Sequence, residues 1–195
     1  MWRYSLLLVV LLAGCVTRPS VTTPTTPDNS KVFRSASEVV LDGKTFVPSK
    51  TVDLIEMVKY VYEPKAGTKG TLSREKVILF FDKNLRNISL QQRMELRQRS
   101  YQHSENSIAE LSIQDNVLYS TVIYRPSAQY DYWGVEVAKG RELSGCGFLE
   151  LQYAYAQNKS KVTNDEKVFL NNQIYPNARQ YLHKLQQQPW LWQCE

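Results

Sequence analysis

Residues 76–81 read KVILFF, a continuous apolar run behind a single lysine. A segment of that length and composition must be covered on both sides, the mark of a central strand in a sheet. The runs around it are built to join it. Residues 107–113, 117–124, 132–138 and 148–156 read as four strands, separated by Gln114-Asp115-Asn116, by Pro126-Ser127 and by the stretch 139–147, where turn-forming residue types collect. Within 148–156, Leu149, Leu151, Tyr153 and Tyr155 alternate with Glu150 and Gln152, so one face is expected to be buried and the other wet.

Upstream, 37–41 is a short β-branched run ended by Asp42-Gly43, with Thr45-Phe46-Val47 as its hairpin partner. Residues 52–62 carry apolar side chains at period two, although a helix over 52–61 is also compatible with the spacing. A turn at 65–70 then leads into 74–82, and 52–62 and 74–82 are expected to pair antiparallel. Two helices complete the pattern. Ser89 is an N-cap for a helix to about Tyr101, with Leu90, Met94 and Tyr101 on one face. A second runs over 176–187, with Ala178, Tyr181, Leu182 and Leu185 at i, i+3, i+4, i+7, Pro176 in its first turn and Pro189 beyond its end. The expected class is α+β: a mainly antiparallel sheet of about five to seven strands, with the two helices laid on one face.

The chain has 195 residues, enough for one ordinary domain, and its 24 Lys+Arg against 19 Asp+Glu leave a charge of only +5. That bias is too small to point to nucleic acid, so no nucleic-acid partner is expected.

The amino terminus says where the chain goes. Arg3 and the amino group precede an apolar run at 5–12, too short to span a bilayer. The run ends in Leu12-Ala13-Gly14-Cys15, which resembles the lipobox of bacterial lipoproteins. The resemblance implies diacylglyceryl transfer to the Cys15 thiol, cleavage before Cys15 and acylation of the new amino group. Several acyl chains would hold a protein stably on a membrane. In that family's sorting pattern an Asp after the acylated cysteine retains a protein at the inner membrane; Val16 stands there, which implies the outer membrane. The organisation expected is therefore a signal peptide at 1–14, an acylated cysteine with a Thr/Pro-rich tether at 15–30, and one domain at 31–195. The tether, with its Pro, Ser and Thr and no aromatic residue, has almost nothing to bury.

With Cys15 assigned to lipid, Cys146 and Cys194 are an even pair in an oxidising compartment and read as a disulfide. Closing a loop of about 47 residues contributes roughly 4 kcal/mol on the chain-entropy model. The competing reading makes Cys146 a hydrolase nucleophile with His103 or His183 as its base. Those two histidines are the only ones in the chain, and so few ligands leave no expected metal site or cofactor. Arg93 and Arg97, i and i+4 beside the Leu90/Met94 stripe, read either as a solvated helix face or as a contact for anionic headgroups or an acidic partner. Tyr124, Tyr130, Tyr132 and Trp133 bracket a Pro-containing loop. Tyr and Trp join a large apolar face to a polar tip, which suits interfaces and sugar stacking as well as packing. No phosphate loop, G-x-S-x-G, H-E-x-x-H or dinucleotide fingerprint is present.

The sequence thus leads to a non-catalytic interaction or assembly lipoprotein, held on the membrane by its lipid anchor. It would dock an envelope protein through a surface that includes Tyr124, Tyr132, Trp133, Arg93 and Arg97. A small-ligand or glycan binder with a pocket lined by Tyr124, Tyr132 and Trp133 stands beside it, and a cysteine hydrolase behind both.

Overall fold

The structure, a computed structural model, describes residues 33–158 and 165–194. The expected signal peptide, Cys15 and the expected tether lie outside the described residues. Eight strands form one antiparallel sheet: β2 (Val39–Leu41), β3 (Lys44–Asp53), β4 (Met57–Pro64), β5 (Ser73–Asp82), β6 (Ser107–Gln114), β7 (Val117–Tyr124), β8 (Tyr132–Leu143) and β9 (Gly147–Asn158). Their order is β2-β3-β4-β5-β9-β8-β7-β6, two four-stranded meanders joined where β5 meets β9, and the sheet curls into a half-barrel. β1 (Phe33–Ser35) and β10 (Trp192–Cys194) make a separate two-stranded ribbon.

The expected five to seven strands fall short of this sheet, and an α+β layout with both helices on one face is incorrect. The shortfall begins at 52–62, which is not one strand. β3 ends at Asp53, the chain reverses through 54–56, and β4 begins at Met57. A register shift between Pro48 and Lys50 also hides the length of β3, since Pro interrupts both the ladder and the alternation. β4 does pair antiparallel with β5, Met57 opposite Asp82 and Tyr62 opposite Val77.

Alternation along the strands makes two faces. One carries Phe46, Tyr62, Val77, Leu79, Val135, Val137, Leu149, Leu151 and Tyr153, all buried in a single apolar core. A helical run closes it: α2 (Glu166–Phe169), a π turn at Leu170–Ile174, and α3 (Tyr175–Gln187). Phe169, Leu170, Ile174, Ala178 and Leu185 enter the core. This run begins ten residues before the helix expected at 176–187. Pro176 lacks an N–H and its ring crowds the carbonyl four residues back; a π turn just ahead of it lets the helix continue through.

The opposite face carries Lys59, Lys76, Ile78, Phe80, Glu136, Phe148, Glu150 and Gln152, and α1 (Leu90–Gln102) crosses it. α1 starts at Ser89 as the sequence indicates. The Ser89 hydroxyl accepts from the Gln92 N–H at 3.2 Å, and the Gln92 side chain accepts from the Ser89 N–H at 3.0 Å, a reciprocal capping box. Glu150 and Gln152, expected on a wet face, are buried beneath this helix. Among the described residues no helix is long and apolar enough to cross a membrane.

Cys146, in the turn between β8 and β9, is joined to Cys194 of β10 by a disulfide with a Cα–Cα distance of 6.4 Å. Gly147 opens β9 at φ 132°, and a Cβ there would stand 2.2 Å from the Asp82 carbonyl oxygen. Only glycine lets the β8–β9 turn close against the end of β5.

Candidate binding cleft

The turns divide between two ends of the sheet. Residues 54–56, 83–89, 115–116 and 144–146 lie at one end; the β4–β5 turn, the loop 125–131 and the start of β6 lie at the other. A cleft of about 990 Å³ opens at this second end, between the β4–β5 turn and the β7–β8 loop. Tyr124, Tyr130, Tyr132, Arg74, Arg125 and Glu136 line it.

The local sequence explains how those side chains come together. Between Ser73 and Lys76 the register of β5 against β9 shifts, and Arg74 takes φ 53°. This bulge re-aims its residues. Arg74 swings over the Tyr132 ring, 4.7 Å from its centroid, a cation–π contact. Glu75 turns to the other side of the strand, where it is buried, ion-paired to Lys44 at 2.8 Å and bonded by the Leu72 N–H at 2.7 Å and the Tyr153 hydroxyl. Tyr130 and Tyr132 stack obliquely at 5.5 Å. Arg125 is fixed by Glu166 at 2.9 Å and by the Glu105 carbonyl at 2.9 Å.

At the inner end of the cleft the Tyr124 hydroxyl donates to Glu136 Oε2 at 3.1 Å. Burial, followed by the charge of Glu136, lifts the Tyr124 hydroxyl well above the usual phenol range. Burial also raises the Glu136 carboxyl, against the opposing pull of the Tyr124 hydrogen bond and the Lys76 charge. A carboxyl so placed favours a donor or a cation brought to it in place of water. Lys76 and Glu136 also line a second cleft of about 320 Å³ under α1, so the two share a wall. Among the described residues, no group of three or more His, Cys, Asp or Glu is placed to hold a metal ion.

The residues singled out from the sequence meet different fates. Tyr124 and Tyr132 face the cleft; Trp133 does not. It is 4% exposed and packs on the core side of β8, 5.9 Å from Phe169. Adjacent residues on a strand point to opposite faces, and here Tyr132 turns to the cleft while Trp133 turns to the core. Arg93 and Arg97 offer no exposed basic face. Arg93 is buried, 2.6 Å from Asp82 and stacked 4.0 Å over Phe148. Arg97 pairs with buried Glu150. Cys146 is bonded to Cys194 and offers no thiolate, and His103 and His183 are both exposed, so these residues do not assemble a nucleophile and base. Sequence reasoning missed Arg74, Arg125 and Glu136. Alternation between Val135 and Val137 places Glu136 off the core face and could have flagged it; the bulge that delivers Arg74 has no sequence signal.

Comparison with known proteins places the chain in a family. A family model matches residues 33–190, well over half of the chain, and the chain belongs to that family. It is similar to an uncharacterized protein of Haemophilus influenzae, 29% identical over an alignment of 204 positions that spans 98% of this chain and 97% of the relative.

Proposed function

We propose that the protein is a lipoprotein of the cell envelope, acylated on Cys15 and held at the outer membrane. Its role is non-catalytic: the distal cleft receives a segment of an envelope partner, as in an assembly or accessory factor. The observation that carries this reading is the cleft itself. Its open shape, at the upper end of the size range of small-molecule sites, and its Tyr130–Tyr132–Arg74 platform suit an extended chain bearing rings and carboxylates, because Tyr and Arg anchor protein interfaces. The Leu12-Ala13-Gly14-Cys15 box and Val16 support the anchor and its address, and the pairing of Cys146 with Cys194 fits an oxidising compartment.

A second reading, a glycan or small-ligand binder, is favoured by the Tyr124–Glu136 pair, which presents a hydroxyl and a carboxyl beside an aromatic platform. Chemical crosslinking of the full-length protein in cells separates the two. One dominant envelope protein, lost with Tyr132→Ala and with Arg74→Glu, supports the interaction reading. Absence of a specific protein removes it and turns the search to glycans and small ligands.

A further inference from the structure

The end of the sheet opposite the cleft carries the most exposed large apolar side chain among the described residues, Ile55, at 81%. Leu54 beside it is 53% exposed, and Leu85, in the neighbouring turn after β5, is 46% exposed. Ile55 sits at φ 72°, a conformation that strains a β-branched residue and that Gly or Asn would hold more easily. Turn chemistry therefore does not account for an isoleucine here.

The backbone of this tip is hydrogen-bonded throughout within the protein. Leu54 N–H donates to the Met57 carbonyl at 2.7 Å, and Glu56 N–H to the Leu54 carbonyl at 2.9 Å. Ile55 N–H donates to Asp53 Oδ1 at 2.8 Å, while the Lys83 ammonium donates to the Ile55 carbonyl at 2.6 Å. Lys83 N–H donates to the Glu56 carbonyl at 2.9 Å. Every backbone N–H and C=O from Leu54 to Glu56 thus has a partner inside the protein, and the Glu56 carboxylate is paired with Arg86 at 3.3 Å. A turn in water needs no such closure. A turn entering an apolar medium does, because each unbonded group there is costly.

The chain also arrives at this end. Phe33 pairs with Cys194, which is tied to Cys146 in the β8–β9 turn, and its ring lies 4.2 Å from Phe81, next to Asp82 and the loop 83–89. We infer that Leu54, Ile55 and Leu85 form a lipid-contacting tip, seated in the bilayer surface, so that the cleft faces away from the membrane. This rests on the reading of Cys15 as the acylated residue. The 17 residues at 16–32 span at most about 60 Å fully extended. Confinement on that tether supplies a high effective concentration at the surface, so three side chains need little affinity of their own.

The test uses the full-length protein in phosphatidylethanolamine/phosphatidylglycerol vesicles, with an environment-sensitive dye on Ile55→Cys, on Leu85→Cys, or on Lys69→Cys in the β4–β5 turn. Spin-labelled lipids serve as quenchers, and mass spectrometry of the amino-terminal peptide reports acylation. The expected result is a blue shift and several-fold stronger quenching at 55 and 85 than at 69, with Ile55→Asp reducing the quenching at 85. An acylated protein whose three positions behave alike overturns the tip and leaves the lipoprotein reading standing. A blue shift at 55 without quenching puts a second copy of the chain there and also overturns it. An unacylated Cys15 overturns the lipoprotein reading and the inference with it.

Discussion

Two helical segments lie on opposite faces of one sheet, and different forces hold them. α3 and the π turn before it bury Ile174, Ala178 and Leu185 in the main core, and no side chain caps the start of α3. α1 turns Leu90, Arg93, Met94, Arg97 and Tyr101 toward the sheet, yet the only one of its residues that is buried is an arginine. Its attachment runs through Arg93 to Asp82 and Arg97 to Glu150, with both guanidinium groups over Phe148, and through the Ser89 capping box. Apolar burial stabilises in proportion to area and is non-directional. Buried ion pairs stabilise little on balance but punish the loss of one partner. The α3 face therefore supplies stability and the α1 face supplies a fixed position.

The largest effect should come from the α3 face. Ile174→Ala removes a fully buried side chain and should cost about 3 kcal/mol in urea unfolding; a loss under about 1 kcal/mol would show that the helix is not part of the core. On the α1 face, Arg97→Met leaves Glu150 buried without its cation and should cost about 2 kcal/mol. The double variant Arg97→Met/Glu150→Leu should return to within about 1 kcal/mol of the parent. Equal losses in single and double variants would refute the contrast. Ser89→Ala should cost about 1 kcal/mol, measured by the same unfolding curves, since α1 has little apolar contact to compensate.

The smallest effect is one of pH. Lys139 lies on the α3 face, donates to the Gln188 carbonyl and sits 4.4 Å from the Trp190 ring centroid. Burial, reinforced by the Arg141 charge, pushes its ammonium down to about 8. The folded protein then releases this proton before the unfolded chain does, so stability gains as pH rises from that value toward the ordinary lysine range. Between pH 8 and 10 the melting temperature of the parent should rise relative to that of Lys139→Met. Parallel profiles would show that Lys139 is not held in this way.

The same contrast explains what could be read from the sequence. Ala178, Tyr181, Leu182 and Leu185 announce α3 because an apolar stripe at helical spacing has one physical meaning. Arg93 and Arg97 look solvated because a charge says nothing of its partner, and Asp82 and Glu150 come from two strands, one before and one after α1 in the chain. Glu150 and Gln152 look wet for the same reason. In the cleft, Tyr124 and Tyr132 were legible as aromatics near a loop, whereas Arg74 depends on a bulge that only the pairing of β5 with β9 creates. The period of a strand sets Trp133 on the face opposite its neighbour Tyr132, and that face is the core. The break at 54–56 was hidden because Leu54 and Ile55 continue the apolar pattern through a turn.

The central claim is that the working surface is the distal cleft and not the outer side of α1. Its most direct test is in-cell photo-crosslinking of the full-length protein with a photoreactive phenylalanine at Tyr132, compared with one at Leu96, exposed on α1. The account predicts capture of a specific envelope protein from position 132 and none from 96. Capture from 96, or from both equally, would contradict it.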